Sequence, residues 1–163
     1  MNKKLAVSLP NIQPNKAITI VRFVTSNHKI YHCAQHHFLK LKPIDRSFYD
    51  YLCEHMTQEN RVTISSTFIQ GYIDFLKKIT SNLKEVSAST ISRAMKTLVE
   101  EGLLIKGRGN SALYFVNPKY ASKVSDTKRK DVIRKIVSMQ LQNGLSIAPL
   151  LDFSLTNTEY ENQ

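Results

Sequence analysis

Residues 86–118 constrain the fold of this chain more than any other stretch, because the pattern of an amphipathic helix is followed directly by that of a β-hairpin. Ser87 and Ser89 are candidate N-caps, since a serine hydroxyl accepts a hydrogen bond from the first turn of a helix. Gly102 supplies the left-handed conformation that commonly ends a helix. Between them, apolar residues recur at helical spacing and predict one buried face: Ile91, Met95, Leu98 and Val99.

The opposite face of this helix is polar and carries no acidic residue before Glu100. Serine, threonine, arginine and lysine hydrogen-bond to base edges and phosphates, so this face has the composition of a DNA-reading surface. Arg93 is the best candidate for a base contact. Glu100 and Glu101 come at the far end, where we expect their charge to be held away from nucleic acid. The predicted major-groove contacts are Ser89, Thr90, Ser92, Arg93, Lys96 and Thr97.

Two short apolar runs after the helix, 103–105 and 112–116, predict a β-hairpin. The residues between them include two glycines and an asparagine, which tolerate positive φ in a turn. The turn also carries cations and no acid, as expected of a loop that lies along a phosphate backbone. The residues predicted to contact DNA from this wing are Lys106, Arg108 and Asn110.

Three elements upstream complete the order of a winged helix-turn-helix. Pro43 opens a predicted helix that runs to about Met56, with Asp45 in its first turn, where a carboxylate suits the helix dipole. A short strand at 62–64 and a second helix from 65 or 66 to about 80 follow, and Gly71 within that helix indicates close packing. The predicted fold class is mainly α with a small β component (α+β).

Both ends of the chain extend this domain. Residues 17–37 predict a β-hairpin, with strands at 17–25 and 30–37, inside an N-terminal segment that has six cations and no acid between residues 1 and 40. A basic amphipathic helix is predicted at about 127–142, capped by Asp126 or Thr127. Its cations are candidates for supplementary phosphate contacts: Lys128, Arg129 and Lys130.

The last helix has two possible roles, packing on its own domain or pairing with a second subunit. A dimer, formed through this helix or through the N-terminal hairpin, would bind a palindrome or a direct repeat. The resulting division of the chain is a basic hairpin extension at 1–40, a winged helix-turn-helix domain at 41–121, a basic helix at 122–145 and a disordered tail at 146–163.

Composition narrows the class of protein. The chain has 23 Lys and Arg against 13 Asp and Glu, a formal net charge of +10, which favours an acidic partner such as nucleic acid. With only two cysteines we expect reduced thiols and a cytoplasmic location. No run of about 18 apolar residues predicts a membrane span.

The sequence does not favour metal, cofactor or catalytic chemistry. The segment HCAQHH, residues 32–37, reads as a strand, where residues four apart lie roughly 13 Å from one another, so we predict no metal site. The motifs of a nucleotide-binding loop or a dinucleotide-binding turn are absent from the sequence, and we predict no cofactor and no enzymatic activity.

The segment 91–123, ISRAMKTLVEEGLLIKGRGNSALYFVNPKYASK, resembles the RepL family of plasmid replication and maintenance proteins. The family's second wing strand runs into a Tyr-x-Val-Asn-Pro ending, matched here by Tyr114, Val116, Asn117 and Pro118. The helix beginning at Leu41 and the NRVTIS segment after it also fit, so the resemblance covers about residues 40–122. It implies a DNA-binding protein that recognises iterated plasmid origin sequences and recruits host replication proteins.

Two other functions remain open on the same residues. Winged-helix transcriptional regulators share the Thr-Ile-Ser-Arg and Leu-x-x-x-Gly-Leu-Leu patterns, and a promoter operator would use the same reading helix. A protein-interaction module could instead present its cations to an acidic protein surface.

Overall fold

The computed structural model describes residues 28–79, 86–108 and 112–151. Helices predominate and the strands form small antiparallel sheets, so the predicted α+β class is confirmed. A 3-10 turn at His32–Ala34 lies between the first strand and the first helix. The elements are, in chain order, β1 (Lys29–Ile30), α1 (Gln35–Phe38), α2 (Pro43–His55), β2 (Arg61–Thr63), α3 (Ser66–Ile79), α4 (Ala88–Glu100), β3 (Leu104–Lys106), β4 (Leu113–Val116), β5 (Ala121–Ser122), α5 (Asp126–Gln142) and α6 (Ala148–Leu151).

The central helices follow the predicted bounds closely. Pro43 occupies the first turn of α2, where its missing N–H costs no hydrogen bond. Helix α3 continues unbroken through Gly71, and a Cβ placed there would lie 3.4 Å from the Tyr51 hydroxyl, an ordinary contact distance. Helix α4 starts after Ser87, whose hydroxyl accepts from the Thr90 amide, and Gly102 follows it with φ +70°.

A three-stranded antiparallel sheet in the order β2-β4-β3 lies beside these helices. Its strands fall within a residue or so of the predicted positions, and Lys106 pairs with Tyr114 in the register of β3 and β4. The Gly107 amide donates to the Leu113 carbonyl at 2.8 Å and closes the ladder at the loop end. The predicted β-hairpin is therefore confirmed in its strands, while 109–111 lie outside the described residues.

Apolar clusters cover both faces of this sheet. On one face, Val62, Leu104 and Val116 join the main core formed by α2, α3 and α4. On the other face, Ile105 and Phe115 pack in a second cluster with three residues of α5 and α6: Val132, Ile136 and Leu150. Helix α5 therefore packs against its own domain, the first of its two predicted roles. Ser125, rather than Asp126 or Thr127, is its N-cap residue.

The predicted second strand of the N-terminal hairpin, 30–37, is wrong. The strand is limited to Lys29–Ile30, which pairs with β5, and after the extended Tyr31 residues 32–38 are helical. The physical reason is a helical apolar period, because Ala34 is fully buried and Ile30, Phe38 and Leu41 pack around the same core. The first predicted strand, 17–25, lies outside the described residues.

The predicted disordered tail is wrong over its first residues. Ala148–Leu151 forms a short helix, and Leu150 is 3% exposed within the second cluster. Pro149 contributes its carbonyl oxygen as acceptor for the Asn117 amide at 3.0 Å. Residues 146–151 therefore belong to the folded domain, and 152–163 lie outside the described part of the chain.

None of the described helices combines the length and the apolar composition that crossing a lipid bilayer requires.

Candidate nucleic-acid interface

The polar face of α4 is open to solvent. Ser89, Ser92, Arg93 and Lys96 are exposed, whereas Thr90 and Thr97 are half-buried at the sides of the face. The hydroxyl of Ser87 lies 2.8 Å from that of Ser89 and 3.1 Å from that of Thr90, so the start of the helix is a small network of hydroxyl groups. Because a hydroxyl group can rotate, these side chains can exchange their mutual hydrogen bonds for hydrogen bonds to an external acceptor.

Arg93 and Lys96 are held only weakly by their own chain. The Nε of Arg93 lies 3.4 Å from the Ser89 carbonyl, a long hydrogen bond. Lys96 pairs with Glu100 at 3.7 Å, with 76% and 62% of the two side chains exposed, so solvent screens the attraction. Both cationic groups can therefore turn towards a ligand at little cost.

The hairpin presents further cations beside this face. Lys106 and Arg108 are exposed, and Asn110 lies outside the described residues. Gly107 between them is buried against β4, because a Cβ there would lie 2.7 Å from Cγ of Leu113. A side chain at 107 would push the two strands apart, which explains why a glycine stands between the two cations.

A groove of about 460 Å³ joins α4 to the sheet. It brings together one predicted contact residue of the hairpin, Lys106, and two of the helix, Ser92 and Lys96. The remaining walls are formed by Met95, Val99, Tyr114 and Glu100. The helix face and the base of the hairpin thus form one continuous surface.

The two acids at the end of α4 differ in their surroundings. Glu101 lies away from the groove, where His37 approaches its carboxylate at 3.1 Å and Lys40 at 3.5 Å. The hydrogen bond from His37 lowers the pKa of Glu101. Glu100, in contrast, lines the groove with Lys96 and Lys106, and the expectation that its charge is held away from nucleic acid stays a prediction.

The predicted supplementary cations lie in the first turns of α5. Lys128 and Lys130 are exposed. Arg129 has only 14% of its side chain exposed, lies 4.0 Å above the ring of Tyr31 and pairs with Asp126. Tyr31 donates to Asp126 at 2.7 Å, so these three side chains join β1 to α5. The structure gives Arg129 an intramolecular role, whereas its contact with phosphate stays a prediction.

His32, His36 and His37 lie on helical turns and not on the predicted strand. His36 faces the Cys33 carbonyl at 3.3 Å, and His37 faces Glu101. Within 28–79, 86–108 and 112–151, no three histidine, cysteine or acidic side chains converge as a metal site would require.

Two buried amides at this surface were not singled out as functional from the sequence. Asn117 donates to the Gly102 carbonyl at 2.8 Å and so joins the end of α4 to the end of β4. Gln140 in the last turn of α5 donates to the Lys106 carbonyl at 2.7 Å and is 2% exposed. A glutamine at a core-facing position of α5 was the available signal, because buried polar side chains need a partner.

Comparison with protein-family models, with curated proteins and with solved structures gave no significant match.

Proposed function

We propose that this chain is a winged helix-turn-helix protein that binds duplex DNA in a sequence-specific manner. In this proposal α4 enters the major groove and the β3–β4 loop lies along the flanking phosphate backbone. The observation that carries it is the continuous surface on which the exposed polar face of α4 meets Lys106 of the hairpin across one groove.

The dimensions and chemistry of α4 support this assignment. Its 13 residues correspond to a length of about 20 Å, and the major groove of B-DNA, about 12 Å wide, admits an α-helix. Arg93 points from the exposed face and has the guanidinium fork that matches the two acceptors of guanine. Lys106 and Arg108 serve as sequence-independent phosphate contacts.

A pair of arginine variants tests the two proposed roles. Arg93→Ala should reduce the difference in binding free energy between the specific and the random duplex by roughly 1–3 kcal/mol, because a base contact is lost. Arg108→Ala should weaken all duplexes alike and reduce the salt dependence of binding, because a phosphate contact is lost. Fluorescence anisotropy with a selected and a scrambled duplex measures both quantities.

Arg134→Ala is the matched control for that pair, since Arg134 is 77% exposed and bonded to Asp131 on α5. It removes the same charge without touching the proposed interface. An unchanged specificity ratio in Arg93→Ala would show that α4 does not read the sequence.

The resemblance to the RepL family extends the proposal to plasmid replication. The target would then be a set of iterated origin repeats, bound in the cytoplasm, and the bound protein would recruit host replication proteins. Selection of bound fragments from plasmid and chromosomal DNA tests this: iterated repeats support initiation, whereas a single promoter operator supports transcriptional regulation.

A homodimer is part of the same proposal. Val137 of α5 packs against the second cluster, but Leu141, one turn further along the helix, is 59% exposed. In a homodimer this end of α5 would pair with its copy and place two α4 helices on half-sites about 34–36 Å apart or a multiple of that distance. Sedimentation of the chain with one-site and two-site duplexes measures the stoichiometry.

The protein-interaction alternative makes the opposite prediction for DNA. If the cations bind an acidic protein surface, the protein should not retard any duplex at physiological salt in an electrophoretic mobility assay.

A further inference from the structure

The hydrogen bond from Gln140 lies at the point where the ordered sheet passes into the loop proposed to contact DNA. Its acceptor is the carbonyl oxygen of Lys106, the last residue of β3, and the N–O distance is 2.7 Å. Lys106 at the end of β3 and Arg108 at the start of the loop lie on either side of Gly107. A constraint on the Lys106 backbone therefore constrains where both cations point.

The acceptor lies on the free side of an edge strand. β3 is the outer strand of the order β2-β4-β3, and the inward-facing Gly107 amide bonds to Leu113 of β4. Because successive residues of a strand present their amides and carbonyls to opposite sides, the Lys106 carbonyl faces outward, where β4 cannot bind it. Gln140 supplies a donor to that carbonyl.

The donor itself is held firmly. Ile136 and Val132, one and two turns earlier in α5, pack under Ile105 and Phe115 of the sheet. The Gln140 carbonyl accepts from the Leu145 amide at 2.8 Å in the turn that ends the helix. The Gln140 side chain, 2% exposed, thus projects from a fixed backbone to a fixed target.

We propose that Gln140 is a positioning residue for DNA binding: it fixes the backbone at the end of β3 so that Lys106 and Arg108 reach the phosphate backbone while α4 occupies the groove. This inference rests on the proposed function. Helix α5 then supports the sheet as a brace on the face opposite α4. It affects DNA affinity only by positioning Lys106 and Arg108.

The test compares Gln140→Met, which keeps the length of the side chain but removes the donor, with Gln142→Met on the exposed end of the same helix. Gln140→Met should weaken duplex binding roughly three- to tenfold, in the range of one lost positioning contact, and Gln142→Met should not. Hydrogen exchange at the Gly107 amide, measured without DNA, should accelerate in Gln140→Met alone. Gln140→Asn, whose shorter amide cannot span the same distance, is the second variant should the first unfold.

A double-mutant cycle separates positioning from general destabilisation. Arg108→Ala should cost much less affinity in the Gln140→Met background than in the wild type, because the misplaced loop no longer delivers Arg108 to phosphate. Independent, multiplicative losses, or unchanged Gly107 exchange, would overturn the proposal. A wild-type chain that bound no duplex would instead overturn the proposed function, and accelerated Gly107 exchange would then show a brace without a role in DNA binding.

Discussion

At the scale of single residues, Asn60 carries an unusual share of the architecture. It is fully buried, has φ 58°, and its side-chain amide donates to Val116 at 3.0 Å and to Ala121 at 2.7 Å. One side chain therefore joins the end of β4 to β5. In the sequence the residue indicates only a break between α2 and β2, because nothing local reveals which distant carbonyls an asparagine will bind.

Substitution of Asn60 should separate its hydrogen bonds from its backbone conformation. Asn60→Gly keeps the left-handed backbone but removes both bonds, and we expect the free energy of unfolding to fall by about 2–3 kcal/mol. Asn60→Ala should cost about 1 kcal/mol more, because alanine resists positive φ. Urea unfolding followed by circular dichroism measures both, and a glycine variant as stable as the wild type would contradict the assigned role.

Glu100 provides a second test at the residue scale. Its carboxylate lines the groove beside Lys96 and Lys106, so it should repel phosphate if DNA binds there. We expect Glu100→Gln to tighten duplex binding about two- to fivefold at roughly 0.1 M salt and less at higher salt, because exposed charges are screened.

The control for Glu100→Gln is Glu54→Gln, which removes one exposed acid from α2. Equal tightening by both variants would mean that net charge alone governs affinity. No tightening by Glu100→Gln would place the DNA elsewhere on the surface.

At the scale of elements, the helices with a continuous apolar stripe were predictable and the segments held by distant contacts were not. Helices α2, α3, α4 and α5 and the strands of the main sheet follow from periodicity and from Pro43, Ser87 and Gly102. The 3-10 turn and α1 were missed because β-branched composition upstream suggested a strand. Helix α6 was missed because four residues show no period, and its position depends on Asn117 and on the second cluster.

The same limits apply to the candidate interface. Composition indicated which residues of α4 and the hairpin are cationic, and the structure leaves those of α4, with Lys106 and Arg108, exposed. Composition could not indicate that Arg129 would contact Tyr31 and Asp126, nor that Gln140 would bond to Lys106. Both contacts depend on packing between elements far apart in sequence.

Adjacent leucines in α6 test whether this segment belongs to the fold. Leu150 is 3% exposed and Leu151 is 53% exposed. Leu150→Ala should lower the free energy of unfolding by about 2–4 kcal/mol, since it leaves a cavity under the sheet, whereas Leu151→Ala should change it by less than about 0.5 kcal/mol. Equal, small effects in denaturant unfolding would show that α6 contributes no packing energy.

At the scale of the whole molecule, acidic residues join the terminal segments to the central domain and to each other. Three carboxyl groups have pKa values lowered by partners in distant elements, in each case chiefly through a side-chain hydrogen bond: Glu59 with Lys135, Glu101 with His37 and Asp126 with Tyr31. A carboxyl group whose pKa is lowered in the folded state stabilises the fold above its unfolded pKa, and that stabilisation is lost as the pH falls through the folded pKa.

We therefore expect the free energy of unfolding to be steady near neutral pH and to decrease as the pH falls below about 4.5. The decrease should be modest, because Glu59, Lys135 and Asp126 are largely exposed to solvent and only the Glu101–His37 pair is half-buried. Urea unfolding at a series of pH values from 7 to 3 measures it. A free energy that stayed constant over the acidic part of that series would show that these pairs do not support the fold.

The net charge of +10 bears on the central claim, that α4 and the β3–β4 hairpin form a surface for duplex DNA. The most direct measurement is a fluorescence anisotropy titration of the full chain against a selected duplex and a random duplex over a series of salt concentrations. We predict that both duplexes bind and that the logarithm of each binding constant falls linearly with the logarithm of the salt concentration. The selected duplex should bind at least about a thousandfold more tightly than the random one. Equal indifference to every duplex at moderate salt would contradict the claim.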